Sequence, residues 1–240
     1  NNSLMCLFED RENNIWIGTD GSGVYKFLGE QFTSYSKKDG LPEDYVNAVA
    51  QSKSGAYWVA LRNSGISKIE NGTTTNYRFD RANQNAIPDN DILTILPLDD
   101  GRLFLGTRDG LCIYENGKFK TFDGNNFRHK YILSLFEDSK KNIWIGTNDG
   151  LFMYSNGVIT DVKYANAMKQ SEIDFSIFCI IEDKNNDIWA GTEHGVLKLE
   201  KGNVTYFNDK NNFISRRISS AVMDGNKNLW FGTEEGLYSY

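Results

Sequence analysis

The chain has 240 residues, 40% hydrophobic and 13% aromatic, a composition too apolar and too aromatic for disorder. Its net charge of −6 excludes the protein-wide basic field that gathers nucleic acid, so no nucleic-acid partner is expected. No apolar run approaches the roughly 18 residues that a membrane helix needs, so membrane attachment is expected only through segments other than these; the opening residues Asn1-Asn2-Ser3-Leu4 carry no secretory pattern.

From the N-terminus onward, one short apolar segment returns six times. Ile15-Trp16-Ile17-Gly18-Thr19 is followed by Tyr57-Trp58-Val59-Ala60-Leu61 and Leu103-Phe104-Leu105-Gly106-Thr107. Then come Ile143-Trp144-Ile145-Gly146-Thr147, Ile188-Trp189-Ala190-Gly191-Thr192 and Leu229-Trp230-Phe231-Gly232-Thr233. From aromatic to aromatic the steps are 42, 46, 40, 45 and 41 residues, and all five Trp fall on this one position. A fixed period of this length signals a repeat architecture.

Four strands are predicted around each anchor, as the fourth repeat illustrates. Residues 132–136 form a first strand, and a polar turn leads into residues 143–147. Thr147-Asn148-Asp149-Gly150 suits a type I turn closed by glycine at positive φ. Residues 151–154 make the third strand, Asn156-Gly157 turns the chain again, and residues 158–162 form the outermost strand. A four-stranded antiparallel meander cannot bury both faces alone, whereas stacked copies cover one another. The predicted fold is therefore an all-β propeller of four-stranded antiparallel blades, a single domain over residues 1–240 with about six repeats. The glycine two residues after Trp shares its strand face and is expected to leave room for the indole or for the next blade; Ala60 in the second repeat implies that smallness is what the site needs.

The signature Glu137-Asp138…Asn142-Ile143-Trp144-Ile145-Gly146-Thr147…Gly150-Leu151, returning as Glu182-Asp183…Ile188-Trp189-Ala190-Gly191-Thr192…Gly195-Val196, resembles the two-component regulator propeller repeat. The resemblance implies the periplasmic sensor region of a bacterial histidine kinase, including hybrid two-component systems that detect glycans. It also implies blades beyond these six, hence a piece of a larger propeller, with possible dimerisation through the full receptor. Any kinase activity lies outside this chain, which is expected to be non-catalytic and to need no cofactor. A similar blade motif occurs in virginiamycin-lyase-like propellers, which keeps a lyase as one alternative and a structural or protein-interaction propeller as another.

Several chemistry-bearing residues read as architecture. Cys6, Cys112 and Cys179 have no C-x-x-C partner and sit in apolar stretches, as buried free thiols do. His129 and His194, the two histidines, lack convergent ligands for a metal. The acid pairs Glu9-Asp10, Glu137-Asp138 and Glu182-Asp183 recur at one repeat position, which marks turn and strand-end residues, because a ligand needs unlike groups from several blades. Function is expected in the non-repeating connections, residues 36–45, 80–91, 123–130, 164–176 and 208–217. Within them Arg81, Asn83, Arg128, His129, Lys130, Tyr131, Arg216 and Arg217 are the candidate ligand-binding residues for a small molecule or oligosaccharide. Arg donors suit a carboxylate or sulfate, and propeller geometry brings these connections and the Thr-x-x-Gly turns to one face.

Overall fold

The computed structural model describes residues 3–122, 130–162, 176–208 and 217–240. Among these residues the protein is all-β with one 3-10 turn at Lys37–Asp39, and no helix is long and apolar enough to cross a membrane. Blade 1 holds β1 (Leu4–Glu9), β2 (Ile15–Thr19), β3 (Val24–Phe27) and β4 (Phe32–Tyr35). Blade 2 holds β5 (Val46–Gln51), β6 (Tyr57–Leu61), β7 (Gly65–Glu70) and β8 (Thr73–Tyr77), and blade 3 holds β9 (Ile92–Pro97), β10 (Leu103–Thr107), β11 (Gly110–Glu115) and β12 (Lys118–Thr121). Blade 4 comprises β13 (Ile132–Glu137), β14 (Ile143–Thr147), β15 (Gly150–Ser155) and β16 (Val158–Asp161). Blade 5 comprises β17 (Cys179–Glu182), β18 (Ile188–Thr192), β19 (Gly195–Glu200) and β20 (Asn203–Phe207); blade 6 has β21 (Ile218–Met223), β22 (Leu229–Thr233) and β23 (Gly236–Ser239). Every sheet is an antiparallel meander in chain order. Blades 1 to 3 lie in one compact unit, Asn1–His129, and blades 4 to 6 in a second, Lys130–Tyr240.

Burial explains the residue pattern. The second strands β10, β14 and β18 are buried along their whole length, which is why they read as continuous apolar runs, whereas the outer strands β8 and β16 are largely exposed. Within each unit the anchor tryptophan packs on the following blade. Trp16 shares a core with Val46, Val49 and Val59 of blade 2, and Trp58 with Ile92, Leu103 and Leu105 of blade 3. Trp144 packs with Ile180, Ile188 and Ala190 of blade 5, and Trp189 with Ile218, Leu229 and Phe231 of blade 6.

A carboxylate six residues upstream holds each of four indoles. Trp16 Nε1 donates to Asp10 Oδ2 at 2.8 Å, and Trp144, Trp189 and Trp230 donate to Asp138, Asp183 and Asp224 at 2.9 Å. The second carboxylate oxygen accepts two backbone N–H groups of the turn, as Asp138 Oδ1 does from Lys140 and Asn142. Phe104 has no N–H to offer, and Leu98 stands where the carboxylate would be. The turn conformation follows the same division. Asn13, Lys141, Asn186 and Lys227 adopt positive φ in the four clamped turns, while Gly55 and Gly101 take that position in the two turns where Ser52 and Leu98 replace the clamping aspartate. A left-handed residue other than glycine costs about 1–2 kcal/mol, and the aspartate's hydrogen bonds offset it. The recurring aspartates are thus turn residues and the glutamates before them end the first strands, as their repetition predicts.

These clamps set an acid limit on stability. Burial of Asp10 opposes ionisation, but hydrogen bonds from Trp16, Asn14 and Tyr57 outweigh it and hold the carboxyl far below its ordinary range. Asp138 is lowered in the same way, and at Asp224 the Trp230 indole N–H and the Asn228 backbone lower the carboxyl to about 2. A carboxylate whose folded pKa lies below its unfolded value stabilises the native state above that unfolded value and loses its contribution as pH falls through the folded one. The melting temperature is therefore expected to hold steady above about pH 5 and to fall steeply below about pH 4, in thermal melts scanned across pH at fixed salt.

The glycine two residues after Trp makes room for the inner strand and the next blade, whose atoms are the nearest to a Cβ built there. A Cβ on Gly18 would meet Cys6 Sγ and Val46 Cγ1 (2.8 Å), and one on Gly191 would meet Cys179 Sγ (2.6 Å) and Ile218 Cγ2 (2.8 Å). Cys6 pairs with Gly18, Cys179 with Gly191, and Ala48 with Ala60 in blade 2. Cys6 and Cys179 therefore share one blade position, a relation that their sequence spacing hid. Burial pushes the thiol pKa of Cys6 up to about 11 and those of Cys112 and Cys179 up to about 12, so all three are held as protonated thiols near neutral pH.

Candidate functional site

Within each unit the interblade connections return to the turns of the preceding blade. Gly21 and Gly23 donate backbone N–H groups to Asp44 O (3.2 and 2.8 Å), Gly65 to Asn90 O (2.7 Å), and Ile177 to Thr147 O (2.9 Å). The turns are pinned from inside by the threonine: Thr147 Oγ1 donates to Gly150 O at 2.9 Å, with Gly150 at φ 111°. Connections and Thr-x-x-Gly turns therefore meet at one end of the blades, as propeller geometry requires.

From there each described connection of the first unit reaches forward over the outer strand of the following blade. Ser36 caps the Lys37–Asp39 turn, Gly40 reverses the chain at φ 96°, and Asn76 Nδ2 of β8 donates to Gly40 O at 2.9 Å. The second connection is longer and is folded by its own side chains. Asp80 Oδ1 accepts the Ala82 N–H (2.9 Å), and Asn83 Oδ1 accepts the Asn85 N–H (3.0 Å), two Asx turns in succession. Asn85 O then takes the N–H of Phe119 on the outer strand β12 (3.3 Å), and Ile87 is buried against the same blade. Covering β12 in this way also protects an exposed sheet edge.

Between this connection and the outer hairpin of blade 3 lies a cleft of about 1010 Å³. Phe79, Arg81, Asn83 and Asn85 form one wall, and Asn116, Lys118 and Lys120 the other. Phe79 is 48% exposed, an aromatic face set among amides and cations. Two expected residues, Arg81 and Asn83, thus line one cleft. Arg81 is exposed and has no hydrogen-bond or ion-pair partner among the described residues, whereas Asn83 shapes the turn with its carbonyl oxygen.

The other expected residues that the structure describes, Lys130, Tyr131 and Arg217, belong to the second unit and have their contacts within it. Lys130 bonds Asp149 and lies 5.2 Å from the Phe152 ring centroid, so its charge is spent on its own blade. Tyr131 is anchored by its backbone to Asn148 and leaves its ring 43% exposed. Arg217 stacks its guanidinium on Phe178 at 4.0 Å, a cross-blade contact. Arg128, His129 and Arg216 lie outside the described residues. His194 belongs to a Thr-x-x-Gly turn and donates its backbone N–H to Thr192 Oγ1. Among the described residues no group of three or more His, Cys, Asp or Glu is placed to hold a metal ion.

Sequence reasoning passed over a second polar cluster in the first unit. Arg62 pairs with Asp20 at 3.1 Å and lies 5.3 Å from the Tyr45 ring, and Arg108 pairs with Asp91, which also accepts from Asn47 Nδ2 (3.2 Å). Arg62 and Arg108 occupy the same position in consecutive blades, directly after the second strand, a periodicity that could have flagged them. Their ion pairs tie neighbouring blade elements together.

The family model for the two component regulator propeller matches residues 1–21, 126–149 and 174–194. No curated protein sequence matches the chain. Among solved structures, the extracellular domain of BT3049 from B. thetaiotaomicron, described as a hybrid two component system, superposes with a TM-score of 0.79 at 20% identity over 100% of this chain and 33% of that one. The corresponding domain of BT4673 from the same organism gives a TM-score of 0.64 at 21% identity, over 99% of this chain and 38% of the other. Virginiamycin B lyase from Staphylococcus aureus gives 0.75 at 16% identity, over 99% and 83%. The chain spans about a third of the length of the first two, and at these identities the likeness establishes the propeller fold.

Proposed function

We propose that this chain, which carries the two-component regulator propeller repeat, is a non-catalytic sensor domain on the extracytoplasmic, periplasmic side of a signalling receptor. Its ligand in this reading is an oligosaccharide seated in the cleft over blade 3. The cleft carries the proposal: it is built by a connection that escapes the repeat, and it sets an exposed Phe79 beside the amides of Asn83, Asn85 and Asn116. An aromatic face with amide donors and acceptors around it suits a sugar ring, which offers an apolar face and a rim of hydroxyls. The extracellular two-component domains among its structural neighbours support the setting.

Titration of the 240-residue chain with oligosaccharides, followed by calorimetry and thermal shift, tests the reading. A ligand of the native state must raise the melting temperature. Phe79→Ala is expected to weaken binding about threefold to tenfold while leaving the melting temperature of the free protein unchanged, because the ring is exposed. Binding that ignores Phe79 would place the ligand elsewhere, and a ligand recovered with a broken covalent bond would favour the lyase reading.

A further inference from the structure

We infer, resting on that reading of the cleft, that its saccharide carries a carboxylate or sulfate held jointly by Arg81 and Lys120. The lining contains three acids, Asp80, Asp109 and Glu115, and three bases, Arg81, Lys118 and Lys120, so its formal charge balances. The charges are not matched pair by pair. Asp80 is oriented by the Ala82 N–H at 2.9 Å, a neutral donor that leaves its charge in place, and no ion pair joins Arg81 or Lys120 to an acid of the lining. Glu115 stands directly opposite Lys118 in the β11–β12 ladder, where cross-strand neighbours of opposite charge compensate each other. Arg81 and Lys120 remain, two exposed cations whose side chains have no hydrogen-bond or ion-pair partner among the described residues.

Their placement gives them a common target. Lys120 sits two residues after Lys118 on β12, so both project from the strand face opposite to Phe119, which is buried in the blade core. Arg81 comes from the facing wall. Two like charges across an open cleft repel, and an anion between them removes that repulsion while gaining a planar guanidinium fork on one side and an ammonium on the other. In a chain of net charge −6 this is a local feature that bulk composition conceals.

Calorimetry would compare tetragalacturonate, sulfated and unsulfated chondroitin tetrasaccharides and neutral maltotetraose on the 240-residue chain at low and high salt. The acidic saccharides are expected to bind at least about tenfold tighter than the neutral one in dilute buffer, with the gap narrowing in about 0.5 M salt as screening grows. Because chondroitin carries a uronate as well as a sulfate, tighter binding of the sulfated than of the unsulfated chondroitin tetrasaccharide assigns a sulfate, and equal binding of the two assigns a carboxylate. Arg81→Ala and Lys120→Ala should each weaken acidic binding about tenfold to a hundredfold, a loss several times larger than any they cause for the neutral sugar, whereas Lys184→Ala in the second unit should change neither. Equal affinity for acidic and neutral sugars, or indifference to both substitutions, overturns the inference while a Phe79-dependent neutral sugar would still uphold the cleft as the site. Absence of binding to every saccharide overturns both.

Discussion

Trp189→Ala is expected to destabilise the protein by about 3–5 kcal/mol, the cost typical of emptying a fully buried aromatic site. The indole is 1% exposed, stacks on Phe207 at 5.5 Å, and meets Phe231 of the next blade at 5.9 Å, so its loss opens the seam between blades 5 and 6. It also leaves Asp183 without the N–H that reaches it at 2.9 Å. Trp189→Phe separates the two effects: the ring stays, the carboxylate loses one donor, and the expected cost falls to about 1–3 kcal/mol. Adding Asp183→Leu together with Asn186→Gly copies the Leu98, Gly101 and Phe104 set of blade 3 and should recover part of that loss, so the substitutions are expected to be non-additive. Reversible denaturant unfolding measures all three. A Trp189→Ala cost below about 1 kcal/mol would contradict the packing described.

Gly146→Ala is expected to cost about 1–3 kcal/mol by overpacking, and no change at Ser134 should rescue it. A Cβ there meets Ser134 Oγ and, independently, the backbone oxygen of Ile177 at 2.7 Å, which cannot rotate away. Gly232→Ala offers the contrast. Its Cβ meets Ser220 Oγ, and the next atoms are 3.7 Å away or more. Ser220→Ala should therefore restore stability to Gly232→Ala, reproducing the Ala48 and Ala60 pair of blade 2. Equal behaviour of the two glycines in thermal melts would show that the inner-strand partner does not set the requirement.

Much of the architecture is local and could be read in advance. The Trp position, the Thr-x-x-Gly turns and the Asn-Gly hairpins each lie within a few residues of one another, so strand number and order follow from them. The aspartate clamp was half legible: its acid recurs at a fixed distance before Trp, yet the sequence marks it only as a turn residue, because the indole N–H that it accepts is brought in by the hairpin. The candidate site was legible for Arg81 and Asn83, which stand in a connection that breaks the repeat. It was not legible for Lys118 and Lys120, which look like the solvent face of an ordinary outer strand.

The repeating strands, the meander and the small residue required beside each Trp were determined by the sequence itself, since period, turn chemistry and alternation act over a handful of neighbours. Only the tertiary structure decided that a connection folds forward onto the next blade's outer strand, that Lys130 meets Asp149 and the Phe152 ring, and that Arg217 lies over Phe178. Those outcomes depend on which surfaces remain uncovered once the blades have stacked, a property of packing between residues far apart in the chain, and no local pattern of side chains specifies it.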